Sequence, residues 1–167
     1  MPFRPVRQAK DLQQAQDPEN QLQRFIDKFE PPHQATIRAA RKKLRKLFPT
    51  ATELAYDNYN FFVIGFSPND RPSDCIVTIA AAANGVGLCF VRGASLPDPA
   101  KVLLGSGKQT RFVRLPSADV LDQPAVQALL AVAAERSQTT LPTAGRGKLV
   151  IRSVSAKQRP RRKTRKA

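Results

Sequence analysis

The apolar positions change period along the chain. Leu22, Phe25, Ile26 and Phe29 recur at i, i+3, i+4 and i+7, the single stripe of an amphipathic helix. Asp17, Pro18 and Glu19 open it with a carboxylate N-cap, a proline at the first position and an acid in the first turn. Pro31 and Pro32 stop that helix and start a second, which is expected to end near Phe48, before Pro49. In it Ile37, Ala40, Leu44, Leu47 and Phe48 fall within roughly 100° of arc, and Arg38, Arg41, Lys42, Arg45 and Lys46 fill the rest of the circumference. Long cations cover helix surface readily, so this is read as a solvated face; the other reading is a stripe that contacts phosphates.

Further on, the runs shorten to strand length. NFFVIGF at 60–66 is rich in aromatic and β-branched residues, and the polar loop 67–74 follows it. CIVTIA at 75–80 and VGLCFV at 86–91 flank Asn84-Gly85, a hairpin signal, and RFVRL at 111–115 reads as another strand. Asp98 and Pro99 predict a short helical turn ending near Gly105. A third helix is expected from about Asp122, with Pro124 in its first turn and Val126, Leu129, Leu130 and Ala133 as its stripe. Residues 138–147 read as a linker and 148–155 as a candidate extra strand. Residues 1–16 read as a flexible lead-in, and 156–167 as a disordered basic tail, too poor in apolar groups to fold alone. The expected class is α+β over 17–137: an antiparallel sheet of four to five strands, two N-terminal helices and one C-terminal helix.

Charge sharpens this picture. The chain carries 28 Lys and Arg against 13 Asp and Glu, a formal net charge of +15. Residues 144–167 hold ten of those cations and no acid, so two thirds of the excess lies at one end. Such a balance favours anionic partners, nucleic acid or a smaller anion. Residues 1–20 lack the apolar stretch of a secretory signal. The uncharged run from Cys75 to Val91 is broken by Asn84, Gly85 and Gly87 and is shorter than the ~20 apolar residues of a membrane helix. A soluble, cytoplasmic chain without a membrane partner is expected.

Catalytic chemistry is thinly supplied. His33 is the only histidine, so no Ser–His–Asp or Cys–His set can be built without it, and no His, Cys and Asp cluster has metal spacing. The expectation is a chain that is not an enzyme and uses no cofactor or metal. GSGK at 105–108 lacks the first glycine and the hydroxyl residue of a phosphate loop and precedes a strand; it is read as a turn in which Lys108 and Arg111 stand ready for an anion. If Asn84-Gly85 is a two-residue turn, positions summing to 169 face one another, and Cys75 and Cys89 lie ~16 Å apart, too far for a disulfide.

Two candidate sites remain. YDNYN at 56–60 holds both tyrosines, and with Lys108 and Arg111 it offers a ligand pocket of Tyr56, Asp57, Tyr59, Lys108 and Arg111; the other reading is a turn whose polar side chains bond the backbone. The tail offers Arg159, Arg161, Arg162, Lys163, Arg165 and Lys166 to phosphates, or is merely solvated. It holds no aromatic group on which a base could stack.

QLQRFIDKF, LAYDNYNFFVIGFSPNDRPSD, the hairpin, GSGKQTRFVRL with the helix that follows, and KLVIRSVSAKQRPRR resemble the YdhG-like domains of unknown function, also called frataxin-like iron chaperones. The resemblance covers about residues 20–160 and implies a small α+β domain with no established catalytic residues. The iron function that its second name implies ranks third here, because hard cations want clustered carboxylates and the first two helices are rich in Lys and Arg.

Overall fold

The computed structural model describes residues 17–164. The lead-in over 1–16 and the tail cations Arg165 and Lys166 lie outside them. Helices α1 (Pro18–Asp27) and α2 (Pro31–Leu47) form where the proline-led stripes predict them, and the Asp17 carboxylate accepts a hydrogen bond from the Asn20 N–H. Strands β1 (Thr52–Asp57), β2 (Phe62–Ser67), β3 (Val77–Ala82), β4 (Gly85–Phe90) and β5 (Arg111–Arg114) make an antiparallel meander. Helix α3 (Pro124–Glu135) follows a 3-10 turn at Ala118–Asp122, and β6 (Leu149–Val154) comes back to pair in parallel with β1. The sheet order is β5-β4-β3-β2-β1-β6. The α+β class stands, with six strands where four to five were expected.

One face of the sheet is buried. Phe62, Ile64, Phe66, Val77, Ile79, Ala81, Val86, Leu88 and Phe90 alternate along β2–β4 into a core shared with Leu22, Ile26, Phe29, Ile37 and Leu44 of the first two helices and the turn between them. The Phe62 ring meets those of Phe25 and Phe29 at 6.2 and 5.9 Å, tilted by 59° and 52°, which favours edge-to-face contact. On the other face the register lines up Leu54, Gly65, Thr78 and Cys89. A Cβ on Gly65 would stand 2.8 Å from Cys75 Sγ, so any larger residue there would force the thiol to shift.

Two local expectations are corrected. The β3–β4 turn is Ala83-Asn84, and Gly85 opens β4 at φ +150°; facing positions sum to 167, so Cys89 lies opposite Thr78. The shift of two keeps every side chain on its face, which is why the core pattern survives it. Both cysteines are free; burial holds the Cys75 thiol up near 11 and raises that of Cys89. The helical turn expected from Asp98 forms only as a single turn, closed by the Lys101 N–H on the Asp98 carbonyl at 3.1 Å, and Lys101 at φ +54° ends it well before Gly105. There the Asp98 carboxylate accepts from the Val102 and Leu103 N–H groups at 3.0 Å, and the short 3-10 turn lies earlier, at Gly93–Ser95.

Strand β1 is the element that periodicity does not reveal. In TELAYD, Glu53 and Asp57 point to the helix side, where apolar residues are expected. Both are neutralised from outside the strand. Arg41 donates from Nε to Glu53 at 2.7 Å and from Nη1 and Nη2 to Glu19 at 2.6 and 2.8 Å. The solvated-face reading of α2 is thus wrong for Arg41, which is buried and ties α1, α2 and β1 together. Arg38 is held by Asp27 at 2.6 Å, and Arg45 lies 3.4 Å from Glu53.

The same cluster has a pH signature. The hydrogen bond from Arg41 holds the Glu19 carboxyl down at about 2, against the opposing effect of burial. A carboxyl depressed in the folded state adds stability above its unfolded value of about 4.3 and loses it as pH falls through the folded value. The urea midpoint is therefore expected to fall between about pH 4.5 and pH 2, with a shallower fall in Glu19→Gln. Equal slopes for the two proteins would refute this. Glu19 is half exposed, so the effect is screened and small.

Candidate nucleic-acid interface

Asp57 closes β1 with its carboxylate fully buried. One oxygen accepts from Lys28 Nζ at 2.7 Å and the other from Arg161 Nη2 at 2.9 Å. A charge in that position is tolerable only when paired and hydrogen-bonded, and the partners come from α1's end and from the tail. The Arg161 guanidinium also lies 5.9 Å from the Phe29 ring centre and donates to the Asn58 carbonyl. Around this anchor the Ser155 N–H bonds Asp57 O, Gln158 bridges Asp57 O and Lys28, and the Arg159 N–H bonds Tyr59 O. Arg162 donates to the carbonyls of Lys28 and Asp27 at the C-terminal end of α1, where a cation suits the helix dipole.

The tail is therefore docked from Ser155 to Arg162, which corrects the disordered reading for that part of it. The segment is too polar to fold by itself. It is held because one arginine completes a buried carboxylate that the domain already presents. Arg161 and Arg162 are accordingly structural in the first instance, while Arg159 and Lys163 stay exposed.

Docking gives the tail the aromatic neighbours that its own sequence lacks. Tyr59 and Phe61, in the turn between β1 and β2, are 47% and 50% exposed, and Val154, paired with Asp57 at the end of β6, is 52% exposed. The Arg159 guanidinium lies 5.6 Å from the Tyr59 ring centre. Exposed aromatic and apolar surface thus meets a cationic strand of chain. Sequence reasoning weighed the tyrosines and the tail separately; the joining signal was the acid at an inward position of β1, which required a distant cation.

The five-residue pocket is not assembled. Tyr56 and Asp57 lie on β1, whereas Arg111 starts β5 and Lys108 is in the loop before it. Four strand spacings separate β1 from β5 in the sheet, roughly 19 Å. Arg111 bonds the backbone carbonyls of Gly107 and Thr110, stapling its own loop, and Gly105 takes φ +115°, as the turn reading of GSGK requires.

Protein-family models, curated proteins and solved structures show no match to this chain. Among the described residues no group of three or more His, Cys, Asp or Glu side chains is placed to hold a metal ion, and no helix is long and apolar enough to cross a membrane.

Proposed function

We propose that this chain is a non-enzymatic accessory module of the YdhG-like kind that binds single-stranded nucleic acid at the tip of the β1–β2 hairpin. The observation that carries the reading is the exposed Tyr59 ring with the exposed Arg159 guanidinium 5.6 Å from its centre, and a second exposed ring, Phe61, two residues on in the same turn. Every base has a π-face, so such a platform stacks unpaired bases without reading their order, and the cations follow the phosphates. Paired bases in a duplex cannot reach the rings. The net charge of +15 supplies long-range attraction. Iron delivery ranks below this, because Glu19, Asp27, Glu53 and Asp57 are each occupied by Lys or Arg.

Anisotropy of a labelled oligo-dT of about 12 nucleotides tests the reading. Binding at about 0.15 M salt is expected to exceed that of a duplex of the same length. Tyr59→Ala and Phe61→Ala are each expected to weaken it about tenfold, within the ~1–3 kcal/mol of one stacked base. Arg159→Ala is expected to flatten the salt slope by about 0.7. Duplex and single strand bound equally, with both aromatic variants unchanged, would reduce the surface to a generic polyanion binder and refute the proposal.

A further inference from the structure

A separate cavity of about 250 Å³ opens at the other end of the sheet. It is built where the last turn of α3 meets the 3-10 turns Pro72–Asp74 and Gly93–Ser95. Its floor is apolar: Ile76 and Phe90 from the core, with Leu96 and Ala133. Two guanidinium groups stand at its rim. Arg136 is held there by donating to the Ser95 carbonyl at 2.8 Å, and Arg92 has no acceptor among the described residues. Asp74 is the one acid of the lining; its Oδ2 accepts from Asn69 at 2.8 Å and Thr139 at 3.3 Å.

Two cations against one acid leave the lining at +1, which suits a monoanion and penalises a dianion placed near Asp74. The apolar floor calls for an organic body, and planar guanidinium groups match a carboxylate. The volume lies below the ~300–1,000 Å³ typical of pockets for drug-sized ligands, so a nucleotide is too large. We propose that this cavity is a binding site for a small organic carboxylate with an apolar body. It is independent of the hairpin tip and shares no residue with it.

Hydrocinnamate is a suitable probe, titrated into the full-length protein while the methyl signals of Ile76, Leu96 and Ala133 are followed by NMR. Saturable shifts of these methyls are expected, about tenfold weaker affinity for the neutral hydrocinnamamide, and no such shifts with inorganic phosphate. Arg92→Gln, which removes no hydrogen bond within the described residues, is expected to weaken hydrocinnamate about tenfold with the remaining spectrum unchanged. Arg136→Gln should do the same, and serves as the second variant. The proposal is overturned by absence of shifts up to about 10 mM, a free energy of binding too weak to matter. It is equally overturned if the amide binds as tightly as the acid, or if neither arginine variant alters affinity.

Discussion

Replacement of Arg41 by alanine is expected to cost about 3–5 kcal/mol, a large part of the ~5–15 kcal/mol that holds a domain of this size together. The cost does not come from losing attraction alone. Glu53 stays behind, 4% exposed, with only Arg45 at 3.4 Å to neutralise it, and Arg45 is itself half exposed. A buried carboxylate without its partner keeps its full desolvation penalty. Glu19, the other partner, can turn to water and loses little. The prediction therefore has a chemical rescue: replacing Arg41 and Glu53 together by apolar residues of similar volume should recover most of the loss, since a well-packed apolar pair commonly matches a buried ion pair. Urea denaturation of the two single variants and the double variant measures the coupling. A loss under about 1 kcal/mol for Arg41→Ala would mean that water screens the cluster and that the helices are held by apolar packing alone.

The second large effect lies at a residue that sequence reading placed in a linker. A Cβ on Gly147 would fall 1.5 Å from the Ala51 carbonyl oxygen and 2.4 Å from its carbon. Both are backbone atoms, so no rotamer change relieves the overlap. The Gly147 N–H bonds Pro49 O and the Lys148 carbonyl accepts from Glu53, so these contacts set where β6 begins against β1. Gly147→Ala must push that start outward, and the docked tail follows β6. The expected loss is at the upper end of the ~1–3 kcal/mol usual for overpacking, or beyond it, with faster proteolysis after residue 147. Gly145→Ala is the control: at φ +89° it is strained by about 1–2 kcal/mol but meets nothing within 4 Å. Equal losses, with β6 still protected from hydrogen exchange in both variants, would show that the close approach at Gly147 does not constrain the strand.

These two positions divide what was legible from what was not. Helices α1, α2 and α3 and strands β2–β5 were visible because their signals are local: an apolar residue every three or four positions, an alternation of two, a proline or an acid at a first turn. Even the wrong turn at Asn84-Gly85 left the core intact, because the error was an even number of residues. The sequence by itself thus determined the α+β class, the core-facing residues and the strongly cationic balance of the chain. Tertiary structure alone decided which charges are buried. Arg41 looked like its neighbours on a basic helix face until Glu53, 12 positions away, faced it. Asp57 looked like part of a polar turn until Arg161, 104 positions away, completed it, drew the tail onto the hairpin and set Arg159 beside Tyr59. Periodicity reports how a residue relates to the next turn or the next pleat. A buried charge is stable only through a partner brought close by the whole fold, and that partner leaves no periodic trace.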